Sequence, residues 1–192
     1  MKRMSMLLAL LLACLWLTGA ALAEDCPLIT DMGLDGAKEL RTVATVRPPE
    51  GFELQPSADP AAEEPEYYFV PADGASSVRF YYYTAGQGQP EALAKAALES
   101  YAMFYDGFSA SDITDAPLDG RNCLRFSYSC AYPGRDGVTP VYEQTAVCYL
   151  PLREDRFVAV IASLAFGSAA GRLSDDQLEA ELAKALAAVS LN

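Results

Sequence analysis

The sequence predicts an α+β domain, a mainly antiparallel central sheet with two principal helices. Three observations carry that prediction. Runs rich in aromatic and β-branched residues recur between turn-forming clusters, as at Tyr67–Val70, Ser77–Thr84, Asn122–Tyr132, Val141–Leu150 and Arg156–Leu164. Two stretches, Pro90–Tyr105 and Ser174–Asn192, instead place apolar residues at helical spacing. The resulting order is strands, helix, strands, helix, with hairpin-length turns between neighbouring strands.

The first 23 residues stand outside that fold. Met1-Lys2-Arg3 supplies a positive start, Met6–Leu17 an apolar run and Ala21-Leu22-Ala23 a small-x-small site. This order reads as a secretory signal peptide cleaved after Ala23. The run is shorter than the roughly 20 apolar residues a membrane-spanning helix needs. Leu11-Leu12-Ala13-Cys14 also resembles a bacterial lipobox, which would make Cys14 a lipid anchor. The apolar residues Leu15–Leu17 and Ala20–Ala23 beyond it are unlike the polar tether that usually follows such an anchor. An extracytoplasmic, bacterial address follows from either reading, with membrane contact only if Cys14 is lipidated.

Residues 24–42 form a mixed lead-in in which Cys26–Ile29 is a candidate strand and Met32–Leu40 is too interrupted by glycine to assign. A single domain is expected over 43–192. Within it Val43–Val46 is a short strand, and Pro48-Pro49-Glu50-Gly51 delivers Phe52-Glu53-Leu54 as an edge strand, proline having no amide to give to a ladder. Gln55–Glu66, rich in Pro, Ala and Glu, is an exposed loop. Tyr67–Val70 and Ser77–Thr84 flank the turn Pro71-Ala72-Asp73-Gly74 and should pair as a hairpin.

Pro90 suits the first turn of the next helix, Glu91 complements its dipole, and Asp106-Gly107 ends it. Its expected apolar stripe is Leu93, Ala97, Tyr101 and Phe104, with Leu98 beside them. Asn122–Tyr132 alternates, Pro133–Gly137 turns the chain, and Val141–Leu150 returns. Arg156–Leu164 is almost continuously apolar, as a central strand should be. Ser174-Asp175-Asp176-Gln177 is a capping box, and Leu178, Leu182, Ala185, Leu186 and Val189 make the core stripe of a helix running nearly to Asn192.

Composition removes whole classes of function. The chain has no histidine, which excludes Ser-His-Asp and Cys-His nucleophile pairs and HExxH zinc sites. The net charge of −12, which becomes more negative once Lys2 and Arg3 leave, repels phosphate backbones and anionic lipids, so neither nucleic acid nor a membrane surface is an expected partner. No GxGxxG, P-loop or nucleophile elbow occurs, and no cofactor or metal is implied. Asp106, Asp112, Asp115 and Asp119 lack the spacing of a calcium loop; Glu63-Glu64 and Asp175-Asp176 are adjacent residues rather than a catalytic pair.

Four cysteines follow the leader. In an exported chain an even number favours disulfides. Cys123 and Cys130 lie on one strand, roughly 23 Å apart when extended, beyond the ~6 Å reach of a disulfide. The expected pairs are therefore Cys123–Cys148 across a hairpin and Cys26–Cys130 tying down the N-terminus. Reactive thiols and a four-cysteine zinc site are the competing readings. Among the eleven tyrosines, Tyr81 and Tyr83 are the candidate ligand contacts: strand alternation turns part of Phe80-Tyr81-Tyr82-Tyr83 outward unless both faces are covered, and tyrosine combines contact area with a polar tip. The same run is equally what β-packing favours.

The element order resembles the PsbP-like α/β/α sandwich of small exported proteins. The matching features are Pro49-Glu50-Gly51-Phe52 opening the first sheet strand, Val78–Thr84 followed by the Pro90–Tyr105 helix, and Asp119-Gly120-Arg121 leading into Leu124–Tyr128. The Glu143-Gln144 strand, the Arg156–Ile161 strand and the terminal helix complete the likeness over Val43–Leu191. It implies a non-enzymatic binding or assembly module whose partner is a protein, peptide or glycan. The alternative is a small extracytoplasmic enzyme using carboxylate or cysteine chemistry.

Overall fold

A computed structural model describes residues 25–33, 37–55, 64–73, 78–86, 88–118, 120–153, 155–168 and 171–192. The leader over 1–23 with Cys14, the residue Glu63, the end of the first hairpin turn at 74–77, and Asp119 lie outside them.

The fold is α+β with antiparallel sheets and two principal helices. Eleven strands are described: β1 (Cys26–Asp31), β2 (Leu40–Val46), β3 (Phe52–Gln55), β4 (Tyr67–Pro71), β5 (Val78–Gly86), β6 (Asp106–Ala110), β7 (Thr114–Leu118), β8 (Arg121–Pro133), β9 (Pro140–Arg153), β10 (Arg156–Phe166) and β11 (Val189–Leu191). The helices are α1 (Pro90–Phe104) and α2 (Asp175–Ala187). The main sheet runs β3-β4-β5-β10-β9-β8-β6, with β7 also on the β8 edge; β1-β2-β11 make a second, smaller sheet. β10 is central and β3 an edge, as the apolar run and the prolines respectively require. Gly51, at φ 80°, supplies the left-handed residue of the turn into β3.

The two faces of the main sheet bury different sets. Phe80, Tyr82, Cys123, Cys148, Val158 and Val160 join Leu28, Val46, Leu178 and Leu182 in the larger core. That core is thus closed by α2 and the small sheet together. On the other face Phe126, Val147, Tyr149, Phe157 and Ala159 pack with Ala94 of α1, whose small side chain lets the helix approach closely. The small sheet is locked on by side chains: the Thr84 hydroxyl donates to the Ile29 carbonyl at 3.1 Å, Thr30 to Glu64 at 2.6 Å, and Arg153 to the Met32 carbonyl at 2.9 Å. The start of α2 is held by Gln144, which accepts from the Leu173 amide at 2.8 Å and donates to its carbonyl at 3.1 Å. The Ser174–Gln177 capping box forms as expected.

Several expectations are corrected. Phe104 does not complete the α1 stripe; it is 76% exposed, and the next contact with the main sheet is made instead by Tyr105, whose ring packs on Tyr132. Asp106–Ala110 and Thr114–Leu118 are strands rather than loop, formed because the long β8 edge offers unpaired backbone groups to two short segments of poor intrinsic β-propensity. The terminal helix stops at Ala187, and Val189–Leu191 pairs with β2. β2 spans Leu40–Val46 and pairs with β1, so the 42/43 boundary falls inside a strand. Finally, no disulfide joins any described cysteines. Cys26 belongs to the α2-side core, whereas Cys130 stands opposite Glu143 and faces α1, so the sheet itself separates that expected pair.

Candidate functional site

Strand alternation sends Tyr128, Cys130 and Tyr132 of β8 to the α1 side, and the β8–β9 register sets Thr145 opposite Tyr128 and Glu143 opposite Cys130. The end of α1 brings Tyr101 and Tyr105 over the same ground, spaced four apart so that both lie on one side of the chain. The rings form a continuous series: Tyr128–Tyr101 centroids are 5.1 Å apart, Tyr101–Tyr105 5.8 Å and Tyr105–Tyr132 6.1 Å. Phe108 of β6 adds a stacked contact to Tyr128 at 6.0 Å. These four tyrosines, Cys130 and Glu143 line a cavity of about 300 Å3.

Glu143 is its one carboxylate. The Thr145 hydroxyl donates to it at 3.0 Å, and its charge acts on the Tyr132 phenol. Burial, followed by neighbouring hydroxyls or the Glu143 charge, holds the Tyr101, Tyr128 and Tyr132 phenols above their ordinary range. Burial with the Glu143 charge pushes the Cys130 thiol up to about 11. Tyr101, Tyr128 and Tyr132 therefore present protonated hydroxyls and Cys130 a protonated thiol, beside the Glu143 carboxyl group. Such a set can enclose and orient a ligand, but it offers no activated nucleophile.

The expected contacts lie on this same face. Phe80 and Tyr82 point into the α2-side core with no exposed surface, so Tyr81 and Tyr83 point the other way. Tyr81 is half-buried, stacked on Tyr68 with centroids 4.6 Å apart and rings 18° from parallel, and the Arg79 charge acts on its phenol. Tyr83 packs against the smaller core. Neither lines the cavity, which lies toward β8 instead. What the sequence reading missed, Tyr101, Tyr105, Tyr128 and Tyr132, carried a usable signal: an i, i+4 tyrosine pair ending a helix and an even-spaced pair on the following long strand.

The expected disulfide residues divide differently. Cys123 and Cys148 are fully buried diagonal neighbours on β8 and β9, and the Cys123 thiol donates to the Arg121 carbonyl at 3.9 Å. Burial pushes Cys148 up to about 12 and raises Cys123, so neither is a reactive thiolate. No group of three or more metal-binding side chains occurs among the described residues. A recess of about 530 Å3 beside Arg47 and Lys184 is flanked by cations already bonded to Asp25 at 2.8 Å and Glu181 at 2.6 Å. No helix among the described residues is long and apolar enough to cross a membrane.

Fold and site together define an α+β domain with a tyrosine-lined, partly open sheet face. No family model and no curated protein matches the chain. Among solved structures it is similar to LpqN, described as involved in cell envelope biogenesis of Mycobacterium tuberculosis, with a TM-score of 0.44 and 14% identity over 88% of this chain and 91% of that one. It is also similar to PA94 of Pseudomonas aeruginosa, a protein of unknown function, with a TM-score of 0.35 and 13% identity over 71% and 83% of the two chains. Likenesses at this level add nothing to the chemistry of the face.

Proposed function

We propose that the chain is an exported, non-enzymatic binding module of the PsbP-like kind, and that the α1-side face of its main sheet receives a protein, peptide or glycan partner. The observation that carries this reading is the concentration of half-buried tyrosines on one face, from Tyr68 and Tyr81 across to Tyr128 and Tyr132, around a cavity without an activated nucleophile. Aromatic side chains with polar tips give contact area at low entropic cost, which suits recognition. The leader-like first 23 residues support an extracytoplasmic, bacterial address.

The test is capture on glycan and peptide arrays by the protein beginning at Glu24. A ligand that is held by the wild type and by Tyr81→Phe, but lost in Tyr81→Ala, is the expected result. Arrays on which nothing binds, or on which Tyr81→Ala and Tyr68→Ala bind like wild type, would remove the face from consideration. Turnover of an arrayed glycan or peptide would instead establish the enzymatic alternative.

A further inference from the structure

We propose that the cavity between the end of α1 and strand β8 is an aromatic cage for a quaternary ammonium group, with Tyr101, Tyr105, Tyr128 and Tyr132 as its walls and Glu143 as its countercharge. This deepens the binding-face reading above and rests on it.

The walls come first. Four phenol rings in unbroken contact, at centroid separations of 5.1 to 6.1 Å, surround a space of about 300 Å3. That is the lower end of small-molecule sites. Each ring carries negative charge density on its face, and a cation within about 6 Å of a ring centroid is attracted to it. The lining is ring surface with one carboxyl, from Glu143, and no cationic side chain, which suits a cation with no N–H to satisfy.

The countercharge comes second. Glu143 takes part in none of the ion pairs among the described residues. Thr145 orients it through its 3.0 Å hydrogen bond. Two cations come near: Arg79, in the register row of Ser163 and Thr145, whose charge reaches Tyr132, and Arg172, which lines an adjoining recess with Cys130 and Glu143. A carboxylate at the base disfavours an anionic ligand, and the net charge of −12 raises the local concentration of cations.

The experiment is titration of the protein with choline chloride, by calorimetry and by tyrosine ring NMR, beside its uncharged isostere 3,3-dimethylbutan-1-ol. The expected result is choline binding with Kd at or below about 1 mM, and binding of the isostere about tenfold or more weaker, as loss of the cation–π and charge attraction requires. Glu143→Gln and Tyr101→Leu should each weaken choline while a thermal melt shows the fold retained. Should either variant fail to fold, the comparison of choline with its isostere on the wild type decides alone. Equal binding of the two ligands, or no shift of any tyrosine ring signal at saturating choline, overturns the cage. Co-sedimentation with phosphatidylcholine vesicles separates a lipid headgroup from a free solute as the source. Tyr81-dependent array capture without choline binding would sink the cage and leave the binding face standing; choline binding without array capture would do the reverse.

Discussion

The Tyr82 hydroxyl donates to the Ala185 carbonyl at 3.0 Å, joining the middle of β5 to the last turn of α2. Tyr82 has no exposed surface, so the phenol had to find a partner inside the core. Ala185 is a fitting acceptor, since the closing turn of a helix leaves carbonyls without a full complement of bonds. Burial alone drives the phenol far above its ordinary range. Tyr82→Phe keeps the ring and deletes one bond, while Ala185 still accepts from the Ala188 amide at 3.2 Å. The expected cost is about 1 kcal/mol, read as a lower midpoint in urea with unchanged slope. A loss several times larger would mean that the hydroxyl organises more than this contact.

The two helices should respond oppositely to mutation. Leu182, with no exposed surface, lies between α2 and the larger core, so Leu182→Ala should cost about 2–5 kcal/mol. Phe104→Ser removes a larger side chain, yet one that is 76% exposed, and should change stability by less than about 0.5 kcal/mol. Chemical denaturation of both variants checks the pair. A strongly destabilising Phe104→Ser would restore that residue to the core stripe.

Residue pattern carried most of this fold. The Ser174–Gln177 box, the Leu178–Leu182–Ala185–Leu186 stripe, the β4–β5 hairpin and the β8–β9–β10 meander were legible because each rests on local periodicity or a turn. What was not legible depends on partners distant in sequence. Val189-Ser190-Leu191 continues a helical pattern, and only the open edge of β2 turns it into a strand. Likewise Asp106–Ala110 has glycine and serine where a strand former is expected, and the β8 edge decides its state. The site was half legible. Tyr81 and Tyr83 lie on the face that alternation indicated, but the cavity needs α1 to bring Tyr101 and Tyr105 onto Tyr128 and Tyr132. That packing is tertiary and leaves no trace in any one segment.

Cys123 and Cys148 are the two cysteines an oxidant can join. Leu124 pairs with Tyr149 and Arg125 with Cys148, making the two thiols diagonal neighbours on one face. Both are fully buried in the native fold, so oxidised glutathione should close this bridge when it is present while the chain refolds, by two exchange steps: the two thiols lose two protons and two electrons, and the glutathione disulfide leaves as two glutathione thiols. Peptide mapping of the native oxidised protein should recover Cys123 linked to Cys148, with a gain of about 3 kcal/mol over the reduced form. A native Cys26–Cys130 linkage would contradict the placement of those residues on opposite faces of the sheet.

Alkaline pH should destabilise the reduced protein, beginning with its buried thiols. Burial raises the Cys148 thiol from 9.0 to about 12 and the Cys130 thiol from 9.0 to about 11; unfolding returns both to water, where thiols ionise near 8.5–9. Above that point the unfolded chain releases protons that the folded chain keeps, so unfolding is favoured as pH rises. The stability these groups contribute is fully present below about pH 8.5 and is lost as pH climbs toward 11 and 12. Tyrosines, with an ordinary value of 10.0 and raised by burial in the fold, add a share of their own as pH nears that value, so the difference between wild type and Cys148→Ala is what isolates the thiol. A wholly shifted thiol changes stability by about 1 kcal/mol between about pH 9 and 10. Cys148→Ala should flatten the slope by one such increment, and the oxidised protein, with Cys123 and Cys148 no longer able to ionise, should lose the share of both. A reduced protein whose melting temperature is the same at pH 9 and pH 10 would show that these thiols are not shielded from water in the native state.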